Sequence, residues 1–471
     1  MTVFEMSSEV PLSAETTFQW HSLPGALTRL SPHWAQEVVE ESYPPISPGS
    51  VAQVKASLPG SYGLIRRPFT AVHSEGPTRF SFVDELRKGP LSQWKHTHEF
   101  SSVAGGTRID DRIEFSMVPA GFESVDRGMV NYLEATFAAR HQRMLMDIAF
   151  LERMNAPLVT RKKGKHILIS GASGLVGRQV AALFSTAGHF VRLLVRRAPK
   201  FPYESHWNPD LGIINPRDLA WADAVVHLGG RSFSTRFTKQ AKQEIWSSRI
   251  DSTRLLVETM RALPEEKRPK VFVCASTVGI YGARAEADGI HTAVDESAPP
   301  GVGFLAELCQ EWEHAAAQVE ELGVRRVSIR SGIVLTSLGG FLKMQAPLHL
   351  AGAGGRPGSE SRHLAWVSLD DAARAYVHAV LTDYVKGPVN AVAPELVTQK
   401  EFSDELADYL QRPSRIPTPG FVSDLVLGRD GTRELALADQ RVEPERLNET
   451  GYQFVHPTLH DCFEEEFGTG V

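Results

Sequence analysis

The run KHILISGASGLVGRQVAALFSTAGHFVRLLVRR, Lys165 to Arg197, constrains this chain more than any other stretch. Ile167 to Ser170 reads as a short apolar strand, Val180 to Ala187 as an apolar-faced helix, and Phe190 to Val195 as a second strand. Two strands joined through a helix make a βαβ unit, which commits the region to a parallel sheet covered by helices. Gly171, Gly174 and Gly177 stand at GxxGxxG spacing between the first strand and the helix. The first two let the backbone turn and approach a pyrophosphate, and the third lets helix and strand pack closely. The free N–H groups and positive end of the helix then hold the phosphates. A dinucleotide site is expected here, with Ser173, Leu175 and Val176 among its contacts.

The second strand ends in Arg196 and Arg197, where an NAD-selective site usually carries an acidic residue for the ribose 2′-hydroxyl. Arginine accommodates a 2′-phosphate instead, so the cofactor expected is NADP; the bland alternative is two solvated surface arginines. Ala222 to Leu228 forms the next strand, and HLGG brings Leu228, Gly229 and Gly230 to the adenosine side. Arg325 to Leu335 reads as a further buried strand, with Ser331 near the nicotinamide. Strands separated by helical patterns predict a Rossmann-type doubly wound parallel sheet, its cleft at the strands' C-terminal ends.

At 471 residues the chain exceeds one ordinary core. A formal charge of −6 argues against nucleic acid or an anionic membrane as partner. Three scattered cysteines, Cys274, Cys309 and Cys462, form neither a disulfide framework nor a zinc motif, and point to a reducing compartment. The start, MTVFEMSSEVPLS, lacks the pattern of a signal peptide, and no apolar run reaches the roughly 18 residues of a membrane span. A cytoplasmic protein without membrane insertion is expected.

Before the basic break RKKGK at Arg161 to Lys165, the pattern changes. WKHTHEF places Trp94, His96, His98 and Phe100 on one face, and TRIDDRIEF places Thr107, Ile109, Asp111, Ile113 and Phe115 on one face. With Gly105 and Gly106 between them, the segments predict a β-hairpin. His96 and His98 are an i, i+2 pair without a third ligand nearby in sequence, so no metal site is assigned. From Arg127 to Met154, Tyr132, Leu133, Phe137, Met144, Leu145 and Ile148 recur at helical spacing. This order, with FEMSSEVPLSAETTFQWHSLPGALTRLSP at the front and GGTRIDDRIEFSMVPAG in the middle, resembles the helix-grip fold of the START/polyketide-cyclase superfamily. The resemblance implies an α+β domain over 1–158 enclosing an apolar cavity for a lipid-like or aromatic ligand; the alternative is a filled core.

GASGLVG, DAVVHLGG, CASTVGIYG and LAWVSLDDAARAYVHA together resemble an extended short-chain dehydrogenase/reductase, the class containing nucleotide-sugar epimerases, over 165–400. Alignment on IYG puts Thr277 at the family's catalytic Ser/Thr and Ala275 and Ser276 beside the cofactor. The tyrosine and lysine that should follow are missing. One register puts Phe304 and Leu308 in their places, and the other puts Leu305 and Cys309 there. None of these can exchange a proton as a phenol beside an ammonium does. RFTKQAKQEIWSSRIDSTRLLVETM, SGIVLTSLGGFLKM…GAGGRPGSE and the tail Arg415 to Phe467 resemble an atypical subfamily with its own small C-terminal module, here 401–471, in which that pair is generally absent. The catalytic candidates left are Thr277 and Tyr281, the only tyrosine close to it in sequence. Arg249 falls where the resembled family has a helix facing the cofactor, which implies a bond to a phosphate or a substrate anion, the alternative being a turn cap; Asp370 and Asp371 read as helix N-terminal carboxylates. Two readings stay open: an NADP-dependent oxidoreductase or epimerase-like enzyme of a small-molecule substrate, or a non-catalytic NADP-sensing protein that binds an apolar ligand.

Overall fold

A computed structural model describes residues 1–116, 123–159, 161–285, 293–352, 354, 361–412 and 427–468. Most of GAGGRPGSE, the MVPAG of SMVPAG and residues 413–426 of the C-terminal module lie outside the described residues. The chain divides into two units: Met1–Gly164 with Ala181–Phe190 and Glu464–Val471, and Lys165–Val180 with Val191–Phe463.

In the first unit, β1 (Thr2–Val10) is followed by two short helices, α1 (Ala14–His21) and α2 (Ala26–Arg29). Six strands then run β2 (Gln36–Glu40), β3 (Val51–Ser57), β4 (Arg66–Glu75), β5 (Ser81–Lys88), β6 (Gln93–Val103) and β7 (Gly106–Ser116), before the long helix α3 (Glu123–Arg153). They form one sheet in the order β1-β7-β6-β5-β4-β3-β2, and every pairing is antiparallel. The β6–β7 hairpin closes at Val103↔Gly106, leaving Ala104 and Gly105 as its turn, and Gly105 takes the left-handed φ of 90° that glycine adopts without strain. Helical spacing brings Leu133 and Phe137 of α3 onto Phe4, Ile113 and Phe115, and Met144 and Ile148 onto Trp20, Phe82, Phe100 and Ile109. Arg29 and Asp147, both fully buried, join α2 to α3 through two hydrogen bonds of 2.7 and 2.6 Å.

The sheet's buried face is not uniformly apolar. His73, Asp84 and His96 lie side by side across β4, β5 and β6, and His98 pairs with Asp111 across β6 and β7. The third group that the sequence lacked beside His96 and His98 is therefore supplied by strand register. Burial opposes ionisation of both carboxylates, yet the imidazoles against them hold Asp84 and Asp111 far below the ordinary carboxylate range.

In the second unit, β8 (His166–Ser170), α4 (Leu175–Thr186), β9 (Phe190–Val195), β10 (Glu204–His206), α5 (Pro216–Trp221), β11 (Ala224–His227), α6 (Lys239–Arg261), β12 (Val271–Thr277) and α7 (Phe304–Ala317) follow in order; α4 and β9 also contribute residues to the first unit. The sheet runs β10-β9-β8-β11-β12, then strand Arg325–Ser331, then strand Gly387–Ala391. From β8 the chain first builds outward through β9 and β10, then returns to β8's other side with β11. That reversal makes the β8/β11 boundary a topological switch point, where ligands bind outside the strands' carboxyl ends. No helix among the described residues is long and apolar enough to cross a membrane.

Candidate functional site

At the switch point, Ser170 and His227 end β8 and β11 in register, and the Ser170 hydroxyl lies 2.5 Å from His227 Nδ1. His227 Nε2 is 3.0 Å from the Ser252 hydroxyl on α6, so one fully buried imidazole ties two strands to a helix. Burial, with the Arg249 charge as a lesser cause, lowers His227 to about 3. An unfolded histidine titrates near 6.5, so between those values the unfolded chain binds the proton that the fold refuses, and stability falls as pH drops through that window. His227→Gln is expected to remove up to about 1.4 kcal/mol per pH unit of this acid sensitivity, read by urea unfolding at successive pH values.

Over this support lies the glycine turn. Gly171 has φ +76°, and a Cβ there would stand 2.6 Å from the Leu228 carbonyl carbon and 2.8 Å from Gly229 N. The first loop is thus fitted directly to the second. Gly177 presses on the turn itself, since its Cβ would meet Gly171 O at 2.3 Å. Gly174 differs: its Cβ would meet only Gly171 O, at 3.3 Å, so this face is open, as a backbone cradle for a phosphate requires. Ser173, Leu175 and Val176 lie between and just after these glycines, at the start of α4.

Gly230 packs on Arg249, with its Cβ position 3.0 Å from Cζ of the guanidinium. Arg249 is 5% exposed, and its guanidinium lies 4.0 Å from the Phe233 ring centre and 5.2 Å from that of Trp312. Its Nη1 donates to Ile245 O at 3.2 Å, but Nε has no hydrogen-bond partner and no carboxylate pairs with it among the described residues. Burial pushes Arg249 down to about 10, which leaves it charged at neutral pH. Buried cations are ordinarily paired with a carboxylate, whereas this one, among the described residues, meets two ring faces and one carbonyl.

The two arginines after β9 are not equivalent. Arg197 donates to Glu204 Oε2 at 2.8 Å and pairs with its other oxygen, while Arg196 is exposed and has no such partner among the described residues. Against its partial burial, the Arg197 guanidinium and the Lys200 and Phe201 amides hold Glu204 below the usual carboxylate range.

Thr277 ends β12, in register with Ser331, and its hydroxyl oxygen accepts from Gly279 N at 2.8 Å. That leaves the hydroxyl proton available to a ligand oxygen. Ser276 donates to Glu313 at 2.7 Å, Ala275 is half-buried beside it, and the Ser331 hydroxyl bonds the buried Tyr376 phenol. A Cβ on Gly279 would lie 3.0 Å from Thr277 Oγ1 and 3.1 Å from Leu305 Cβ, while the Cys309 thiol bonds Thr277 backbone and Ser276. The α7 face toward Thr277 is therefore Leu305/Cys309. Phe304 turns instead to the Phe237 ring, and Leu308 is fully buried in the core of the unit. Burial, reinforced by the Glu313 charge, raises the Cys309 thiol to about 12, far from a reactive thiolate; Glu307 is exposed.

Tyr281 is 3% exposed, donates to Asn390 Oδ1 at 2.8 Å and accepts from Arg330 Nη1 at 2.9 Å. Arg330 in turn grips Glu313 with two bonds of 2.9 Å. Burial lifts the Tyr281 phenol to about 12, so its placement is that of a structural brace. Asp370 pairs with Arg374 at 2.8 Å, and Asp371 accepts from Val455 N, His456 N and the Tyr452 hydroxyl, each at 2.9 Å. Both carboxylates are structural.

Sequence reading missed Glu434. Its carboxylate accepts from Phe304 N at 3.1 Å and Leu305 N at 2.7 Å, capping α7 at its first turn, where Gly303 has φ +117°. The distance in sequence, 130 residues for Phe304, hides it.

A doubly wound sheet with an open glycine cradle and an unpaired buried arginine at its switch point defines a Rossmann-type nucleotide-binding unit. Residues 167–391 match the family model described as the NAD dependent epimerase/dehydratase family, and residues 418–466 match a domain of unknown function. An epimerase family protein of Mycobacterium bovis is 36% identical over 297 residues, which are 63% of this chain and 95% of that protein. The human epimerase family protein SDR39U1 is 32% identical over 304 residues, 64% of this chain and 98% of its own. A crystal structure of a nucleoside-diphosphate sugar epimerase from Corynebacterium glutamicum aligns with TM-score 0.77 and 28% identity, covering 99% of this chain and 90% of that one. Human SDR39U1 with NADPH aligns with TM-score 0.57 and 28% identity over 65% of this chain and all of its own. The chain belongs to the NAD-dependent epimerase/dehydratase family over its C-terminal two thirds.

Proposed function

We propose that this protein is an NADP-dependent oxidoreductase or epimerase-like enzyme that works without the tyrosine–lysine pair. The observation that carries the reading is Arg249, a buried guanidinium without a carboxylate partner among the described residues, set beneath Gly230 at the switch point. Arg249 would meet an anionic phosphate oxygen of the cofactor, Gly171, Gly174 and Gly177 with the start of α4 would cradle the pyrophosphate, and Arg196 would face the 2′-phosphate. The NADPH bound by the human relative supports this choice over NAD. The cofactor, when bound, supplies or accepts the hydride. Thr277 holds the substrate oxygen through its free hydroxyl proton, Ser331 lies beside it, and Tyr281 braces the strand ends through Arg330. A second reading, a non-catalytic NADP-sensing protein, is favoured by the sealed face where Leu305 and Cys309 fill the vacated positions at 3% and 0% exposure.

Thr277→Ala decides between the two readings. Turnover should fall at least a hundredfold, about 2.7 kcal/mol, with NADPH affinity unchanged, and Thr277→Ser should restore both cap and activity. Single-turnover oxidation of bound NADPH against copurified small molecules is the measurement. If no ligand oxidises it and Thr277→Ala alters nothing, the binding-protein reading stands. For cofactor choice, Arg196→Ala should weaken NADPH about tenfold, ~1.4 kcal/mol, and leave NADH untouched. Arg197→Ala should do less, because Glu204 already holds that side chain. Equal calorimetric losses for both cofactors would defeat the assignment.

The first unit we read as a helix-grip domain of the START/polyketide-cyclase kind, a reading supported by its order of one strand, two short helices, six strands and a long helix. The buried imidazoles and carboxylates on its sheet favour a ligand with polar groups over a wholly apolar one. Cys274, Cys309 and Cys462, buried and outside any disulfide among the described residues, accord with a cytoplasmic setting.

A further inference from the structure

Asp84, His96 and His98, on adjacent strands of the first unit, present one donor atom each within 4.8 Å of one another. Their orientation is set by Asp111. Its Oδ1 lies 3.0 Å from His96 Nε2 and 2.7 Å from His98 Nδ1. One carboxylate oxygen lying at hydrogen-bond distance from two ring nitrogens accepts from both, so those two nitrogens carry the protons. With both rings neutral, the opposite nitrogens, His96 Nδ1 and His98 Nε2, turn lone pairs toward Asp84 Oδ2, at 3.9 and 3.4 Å. Two lone pairs and a carboxylate facing one another call for a cation between them.

The spacing suits one. Donors about 2.0–2.2 Å from a tetrahedral zinc stand about 3.3–3.6 Å apart, against 3.4 and 3.9 Å from Asp84 Oδ2 to the two rings, so a small approach of the side chains closes the site. The surrounding shell also has the form of a metal site: ligating histidines characteristically give their other N–H to a carboxylate, as both do here to Asp111. The second oxygen of Asp84 is paired with His73 Nδ1, which fixes the carboxylate's tilt. The Asp84 side chain keeps 20% of its surface exposed, while those of His96 and His98 keep 5% and 3%, so an ion can enter from the Asp84 side and be shielded once bound. We propose that Asp84, His96 and His98 bind one divalent transition metal ion, with zinc the best match to two imidazoles and a carboxylate, and that Asp111 orients both histidines from behind. Three protein ligands leave a fourth position for water or an oxygen of a ligand entering the first unit.

The test uses the full chain, stripped by a chelator and titrated with Zn2+ against a chromophoric competitor, with elemental analysis and zinc-edge X-ray absorption on the loaded protein. One zinc per chain is expected, in a shell of two imidazoles and oxygen donors without sulfur. Asp84→Asn and His98→Gln, each checked for native circular dichroism, should weaken binding at least a hundredfold. Asp111→Asn should weaken it ten- to a hundredfold, as loss of an outer-shell partner does, and exposed His314→Gln should change nothing. No stoichiometric zinc on the wild-type chain would mean that the cluster is held by a shared proton only, and would overturn the proposal. So would sulfur in the shell, or unchanged affinity in folded Asp84→Asn and His98→Gln. A variant that fails to fold leaves the decision to the wild-type stoichiometry and shell.

Discussion

Arg249→Met is expected to stabilise the empty protein and to weaken NADPH binding about a hundredfold. The wild-type side chain is buried with Nε unsatisfied, and among the described residues its charge is balanced by the Phe233 and Trp312 faces and the Ile245 carbonyl. Stacking on a ring is worth about 1–2 kcal/mol, less than the several kcal/mol of taking an ion out of water. Methionine keeps the unbranched reach along both rings and removes the charge, so the unliganded melting temperature should rise. The gain reverses when the anion arrives. Each hydrogen bond from a charged group to a phosphate oxygen contributes about 1.5–3 kcal/mol, and losing one or two costs about 3 kcal/mol, near a hundredfold in affinity. Paired calorimetry and thermal unfolding with and without NADPH would show the two effects with opposite signs. A Met variant of unchanged affinity would remove Arg249 from the cofactor site.

Installing the missing pair should fail, and at a large cost in stability. The α7 face toward Thr277 fixes the substitutions as Leu305→Tyr with Cys309→Lys. The lysine would replace a fully buried thiol at a site that already feels the Arg249 charge. Glu313, one helical turn on, is committed to Arg330 and Ser276. An ammonium there has no free partner, and the expected loss is about 3–5 kcal/mol by urea unfolding, without gain in NADPH oxidation. The alternative pair is no better, because Leu308→Lys buries its charge in the apolar core beneath α7. An active, stable Leu305→Tyr/Cys309→Lys protein would show that the sealed face has room for ordinary chemistry.

The parts of this molecule that were legible in its sequence are those whose cause is local. Strand, glycine turn and helix between His166 and Thr186 are consecutive, and so are the β6–β7 hairpin and its turn. Arg249 could be marked as a candidate from SSRIDST, but its want of a partner appears only once Gly230, Phe233 and Trp312 close around it. The choice between Phe304/Leu308 and Leu305/Cys309 is a rotation of α7 about its axis, and tertiary packing sets it. Tyr281 looked like a spare phenol because Arg330 and Asn390 arrive 49 and 109 residues later. Asp84 reaches His96 and His98 through strand register, which a search for metal ligands by sequence spacing does not anticipate.

Glu464–Val471 belong to the first unit, more than three hundred residues beyond α3. There the Glu466 carboxylate lies 2.8 Å from the buried His33 Nδ1, and Glu465 pairs with Arg143 of α3. On the ribosome these partners emerge long after α3. At roughly 5–20 residues per second, the unit waits some 15–60 s after α3 is made before its own final segment exists. A unit whose strands and long helix are made before the nucleotide-binding region is thus completed only after that region, and during the interval its unfinished surface is open to chaperones.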